Sequence, residues 1–327
     1  MPISSADPAN YIALGKQPAR DTPATTYYFL RHLEGSGIEI DPEIQREREG
    51  GDNQIVSLSY RSQVKADPQL VANSRPQWAG NALTAILGAD AIQAVVATSP
   101  SLLMAHTIVA VGTVPYYTVH ERAADEVTQV TNCKAQQLEA EWEAGRPLKL
   151  TLQMVGGGTY MSVPAASALT PVREIVKPHF YPGASVVVGG VPNARVTKGK
   201  ITFSRELDAD IQTTGLNRAD VLELNQDYQL DATLVYEDAT LWRRAHYGGG
   251  SQALADLATC SIDIYFPGPA SQGVRLHIPL MEITGAKINK LDPDGKTVYY
   301  DLAAAVVAGA TGAVALAQVW STATAPY

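Results

Sequence analysis

From residue 106 onward, apolar and polar positions alternate with a period of two, the spacing of strands buried on one face only. "HTIVAVG", "YYTVHE", "QVTNCKAQQLEAEWEAG" and "LKLTLQMVGGG" read this way, separated by Gly, Pro or Asn turns. The second half repeats the style in "ASVVVGG", "RVTKGKITFSRELDADIQ", "DYQLDATLVYED", "CSIDIYF", "VRLHIPLMEITGAKINKL" and "TVYYDL". Earlier in the chain, Ile38 and Ile40, and later Ile55, Ser57 and Ser59, predict two strands with the charged "EIQREREGGD" as a protruding loop or hairpin tip between them. Helical signals are few. Asn81–Gly88 is expected as a short helix with Asn81 as its cap, Leu83, Ile86 and Leu87 as its apolar face and Gly88 as its end. "GSQALADLAT" is expected as another, and "LDPDGKT" as a hairpin turn.

One segment sets propensity against pattern. "QQLEAEWEAG", 136–145, is made of good helix formers, yet Glu139, Glu141 and Glu143 alternate with Leu138, Ala140 and Trp142. A second stretch decides for the strand. Aligned from Val130 and Val196, allowing one residue of slippage, Glu139, Glu141 and Glu143 fall on Glu206, Asp208 and Asp210, where Ile201, Phe203 and Leu207 favour extended backbone. The match suggests an internal duplication. The expected organisation is an N-terminal arm over 1–25 with few core contacts, a first module over 26–158, a linker over 159–183, a second module over 184–305 and a C-terminal extension over 306–327. The fold class is mainly β with a few short helices, as two tandem β-sandwich or barrel modules.

Composition fits a packed protein: 46% hydrophobic residues and 18% charged ones in 327. A formal charge of −8 disfavours a protein that grips nucleic acid by neutralising phosphates. Two cysteines, Cys133 and Cys260, and an opening "MPISSADPAN" without leader features point to a reducing cytoplasm. Two apolar stretches, "AIQAVVATSPSLLMAHTIVAVG" and "DLAAAVVAGATGAVALAQVW", are read as buried strands rather than membrane spans.

Reactive constellations are missing from the sequence. The six histidines, His32, His106, His120, His179, His246 and His277, are scattered without metal-binding spacing. The glycine runs at 156 and 248 lack the Gly-Lys-Ser/Thr of a phosphate loop, and no Gly-x-Ser-x-Gly elbow exists. Three alternating acids about 7 Å apart form a surface rather than an acid–base couple. No catalytic, cofactor-binding or metal site is expected.

The order of the segments resembles the tail tube (major tail) proteins of long-tailed, non-contractile bacteriophages. The resemblance is carried by "LGKQPARDTPATT", "GSGIEIDPEIQREREGGD", "PQWAGNALTAILG", "FYPGASVVVGG", "RVTKGKITFSREL", "CSIDIYF" and "VRLHIPLMEITG", covering most of residues 10–300. It implies a non-enzymatic virion protein, assembled in the host cytoplasm, whose rings stack into a tube for DNA. The partners implied are further copies of itself, as trimeric pseudo-hexameric rings if two modules share one chain, together with tape measure, tail terminator and distal tail proteins. DNA would pass without specific binding, past lumen-facing Glu139, Glu141, Glu143, Glu206, Asp208 and Asp210. Glu43, Arg46, Glu47 and Arg48 are the candidates for an inter-subunit loop contact. Other readings are a tail terminator, tail-tip or decoration protein, or a carbohydrate-binding β-domain using Trp142 or Trp242.

Overall fold

The computed structural model describes residues 10–47, 58–98, 101–124, 126–158, 160–163, 168–180, 185–188, 191–192, 196–209, 220–235, 259–269, 272–288, 299–306, 316–321 and 326–327, with 216, 218 and 243. The expected helix over 250–259, apart from its last residue, and the turn over 291–297 lie outside them. Strand dominates as expected. In chain order the elements are β1 (Tyr11–Lys16), β2 (Tyr28–Phe29), β3 (Gly37–Glu47), β4 (Leu58–Asn73), α1 (Pro76–Leu87), β5 (Gly88–Thr98), β6 (Ser101–Ala110), β7 (Tyr117–Ala123), β8 (Glu126–Glu143) and β9 (Lys149–Gly156). They continue as β10 (Tyr160–Val163), β11 (Ser185–Val188), β12 (Val191–Pro192), β13 (Val196–Asp208), β14 (Leu222–Val235), β15 (Thr259–Pro267), β16 (Gly273–Ile288), β17 (Tyr299–Val306) and β18 (Leu316–Ser321).

All the strands belong to one open antiparallel sheet. Its spine runs β3–β4–β9–β8–β13–β14–β17–β16. Two long strands splice the halves of the chain together. On β8, β7 and β13 share one edge end to end, while β9 and β10 share the other. On β16, β17 and β18 share one edge opposite β15. The Ala/Val/Gly-rich stretch after Asp301 thereby contributes β18, which joins β16 to β6.

Helix α1 packs against β8, β6, β5, β13 and β18 and is buried on nearly every side, with Trp78, Leu83 and Ile86 all at or below 1% exposure. Such a helix must be largely apolar, and this one is, with Gln77 exposed and Asn81 half-buried on its one polar side. It starts earlier than the expected Asn81 because Pro76 sits in its first turn, where a fixed φ fits and no N–H is missed. Asn81 instead donates its amide to the Gln77 carbonyl at 2.9 Å. The expected end is met: Gly88 closes the helix at φ +113°, a conformation that favours glycine.

The helix is held at both ends from distant sequence. Arg75, at the N-cap, makes no side-chain capping bond; the Glu174 carboxylate accepts the Gln77 backbone N–H at 3.3 Å. At the other end Arg205, 2% exposed on β13, donates to the carbonyls of Ile86, Val111 and Gly112. The Glu174 contact supplies the N-terminal cap that the local sequence lacks, and Arg205 adds to the C-terminal cap of Gly88, whose N–H donates to the Thr84 carbonyl.

Two segments expected to be loose carry tight contacts. Residues 11–16 form β1, in which Tyr11, Ile12, Ala13 and Leu14 are all at or below 3% exposure and pair with β7. Hydrophobic residues follow one another there because the strand is covered on both faces. Within the segment read as a linker, residues 168–180 form a strap: Leu169 N–H donates to the Tyr11 hydroxyl, Arg75 Nε to the Val176 carbonyl, Leu148 N–H to the His179 carbonyl and His179 N–H to the Ser74 carbonyl.

Candidate functional site

Strand β8 settles the conflict between propensity and pattern. Leu138, Ala140 and Trp142 point into the core, and Trp142 lies edge-on to Phe266 at 5.7 Å. That indole leaves no room for a side chain at residue 199, where a Cβ would stand 2.4 Å from Trp142 Cζ2. At 3% exposure Trp142 offers no sugar platform; Trp242 lies outside the described residues. Glu139, Glu141 and Glu143 occupy the opposite face, as the period of two requires.

That face is not uniformly acidic. Opposite Glu141 stand Lys149 on β9 and Lys200 on β13, and Lys200 in turn faces Asp231 on β14. The neighbouring row reads Glu143, Lys198, Thr233, Asp301, Lys287 across β8, β13, β14, β17 and β16. Both rows alternate in sign and sum to zero. Ion pairs follow from the register: Lys149 Nζ to Glu141 at 3.1 Å, Lys200 Nζ to Glu139 at 3.2 Å and Arg146 to Glu143 at 3.1 Å. Half-exposed pairs of this kind each add no more than about 1 kcal/mol. Their larger effect is on the field, because charges alternating every ~5 Å across the strands cancel within about one such spacing.

The two rows line an open concavity of ≈ 740 Å³ on the sheet. Further along, Glu139, Asp227 and Glu282 leave a modest acidic excess among Thr202, Gln229 and Ser204.

The second acid triplet sits elsewhere. Pairing of β13 with β8 stops at Ser204–Gln137, so Glu206 and Asp208 lie beyond it, both exposed, with Asn225 donating to Glu206 at 2.9 Å. Asp210 is outside the described residues. The lysines that balance the first triplet escaped sequence reasoning, although Lys198 and Lys200 alternate in "VTKGKITF" as plainly as the glutamates do. Strand pairing was the missing information.

The charged loop candidates fall on the far end of a two-stranded ribbon formed by β3 and β4. Glu43 and Arg46 are exposed, Glu43 being 3.9 Å from Lys65; Glu47 ends β3, and Arg48 is outside the described residues. Among the described residues, only 69–73 of β4 gain a third strand, β9.

The described histidines have structural surroundings. His106 Nδ1 is 3.0 Å from Asp90 with both buried, and His120 Nδ1 is 3.1 Å from the Tyr11 hydroxyl. Among the described residues no three His, Cys, Asp or Glu side chains gather to hold a metal, and no helix is long and apolar enough to cross a membrane. Cys133 and Cys260 are free thiols, both buried, and burial pushes the Cys133 thiol up.

Among the described residues, an open antiparallel sheet around one buried helix, with paired surface charge and a projecting ribbon, defines a structural β-protein. The chain belongs to the phage tail tube protein family, whose model matches residues 11–297. It is therefore a structural component of the virion tail, of a family that self-assembles into a tube with other tail proteins. No curated protein matches the chain.

Proposed function

We propose that this chain is the repeating subunit of the tail tube: it closes into rings, the rings stack, and the concave mixed-charge face of β9, β8, β13, β14, β17 and β16 lines the channel through which DNA leaves. The observation that carries the reading is the pair of charge rows that each sum to zero on that face. DNA bears about one negative charge per 1.7 Å of its axis, so a basic lining would retain it by counterion release. A lining of alternating signs with a slight acidic excess holds no phosphate and lets the duplex slide. No enzymatic step is needed for this role.

The paired hairpins β8–β9 and β13–β14 lie side by side about the β8–β13 contact, which supports two tandem modules and hence a trimeric, pseudo-hexameric ring. In this reading the subunit assembles in the host cytoplasm around a tape measure protein, between distal tail and tail terminator proteins. Negative-stain microscopy of the purified protein tests it. Extended tubes are the expected result, with a single-ring mass of three chains; isolated rings or monomers only at all concentrations would refute it.

A further inference from the structure

Two exposed apolar pairs lie at opposite ends of helix α1. On the strap, Val172 and Ile175 are 79% and 87% exposed, the highest values among the large apolar side chains described. The strap is tied down at the first turn of α1, where Glu174 accepts the Gln77 N–H and Arg75 Nε donates to the Val176 carbonyl. At the other end of α1, Arg205 holds the Ile86 carbonyl, and β13 runs on past its pairing with β8. There Asp208 pairs with Leu222 of β14, so Glu206, Asp208, Leu222 and Leu224 share one face. All four are exposed, the leucines at 46% and 56%. The twelve residues of α1 hold the two ends about 18 Å apart. Apolar pairs held in water on anchored backbone mark interaction surfaces when something complementary exists to cover them.

Their charges are complementary. Beside the strap's pair stand Lys177 and Arg31, both exposed and neither with an acid partner among the described residues. Arg31 lies near enough to Arg75 to disfavour that guanidinium's charge, and the strap's one acid, Glu174, is turned onto α1. This end of the helix is therefore basic. At the other end the cations are engaged within the chain: Lys134 pairs with Glu223, Arg20 with Asp220 and Arg218 with Asp67. Glu206 and Asp208 add two further acids, so the β13–β14 face is acidic.

We infer that the strap of one copy docks on the β13–β14 face of the next, with Val172 and Ile175 against Leu222 and Leu224, and Lys177 and Arg31 facing Glu206 and Asp208. The inference rests on the self-assembly proposed above and names the surfaces that carry it. Because the two patches differ and lie at opposite ends of α1, the contact is head-to-tail and repeats from copy to copy instead of ending at a pair.

The test uses the full-length chain carrying both Ile175→Cys and Leu224→Cys, assembled and then oxidised with diamide, beside each single variant. The length of α1, about 18 Å, keeps the two new thiols of one chain apart, well beyond the ~7 Å between Cα atoms that a disulfide tolerates. The native cysteines are buried and supply no background. A ladder of covalent multimers from the double variant, with monomers from each single one, is the expected result. Tubes without the ladder overturn the inference, and so does a dimer from either single variant, which would mean that like ends meet. Absence of tubes from the unmodified chain refutes the self-assembly reading, and the inference falls with it. If the double variant does not assemble although the unmodified chain does, the charges decide. Lys177→Glu should cut tube yield about tenfold, and Glu206→Lys in the same chain should restore it. An undiminished yield, or no restoration, overturns the inference.

Discussion

His179 is fully buried at the end of the strap, with Nδ1 2.8 Å from Ser74 Oγ and no partner for Nε2. Burial, helped by the nearby Arg75 charge, pushes its pKa down to about 4. The folded protein thus holds it neutral, whereas the unfolded chain protonates it near 6.5. Stability from this group is complete above that pH and is lost as the pH falls toward 4, by on the order of 3 kcal/mol. Urea unfolding of the protomer at pH 7.5 and near pH 4 should show that loss, and His179→Asn should remove most of the slope. An unchanged slope in the variant would mean that other groups set the acid sensitivity. Nothing in "VKPHF" marks this histidine as buried; its isolation from other ligand types only removes it from the list of metal sites. Tertiary contacts made by Ser74 and Leu148 decide its state.

At the scale of elements, the alternating strands were legible because half-burial imposes a period of two on the sequence itself. Helix α1 was half legible. Its Gly88 end announces itself, but the contacts that Glu174 and Arg205 make at its two ends come from nearly a hundred residues or more away, which no local signal reveals. Arg205→Leu should therefore cost about 2 kcal/mol, since it strands the buried Ile86 carbonyl that now accepts a charged donor, while the Val111 carbonyl keeps Gln226 Nε2 and exposed Gly112 can turn to water. Chemical denaturation should register the cost, and a Lys at the same position should recover only part of it. Gly80 gives a prediction that changes sign. A Cβ there would stand 2.1 Å from the Tyr327 ring, whose hydroxyl meets Ser321 Oγ at 2.6 Å on β18. In the intact protein Gly80→Ala should destabilise by about 2 kcal/mol through overpacking. With Tyr327→Ala already present, the same change should stabilise by up to about 1 kcal/mol, the ordinary helix preference for alanine. Thermal unfolding of the four members of this cycle measures both; equal effects in the two backgrounds would show that ring and helix do not meet.

For the whole molecule, charge counted along the chain misleads where charge paired across the sheet informs. Glu139, Glu141 and Glu143 read alone are an acidic wall; beside Lys149, Lys198 and Lys200 they are half of a balanced surface. The balance can be broken in one direction without disturbing the fold, because glutamine keeps the strand's shape and polarity. Changing all three glutamates to Gln removes the acids facing those lysines from β8, so the net charge of each subunit's concave face rises by three. If that face lines the channel, phosphates are now attracted. DNA passage through tubes built from the variant should slow severalfold or more at low salt and recover as salt is raised, since counterion release weakens with ionic strength. Changing Lys149, Lys198 and Lys200 to Gln in the same chain should return passage to the original rate by restoring the original net charge of the face. Time-resolved ejection from phage carrying each tail measures this. Identical kinetics for all three tails, at every salt concentration, would place the charge rows away from the channel and turn the concave face outward.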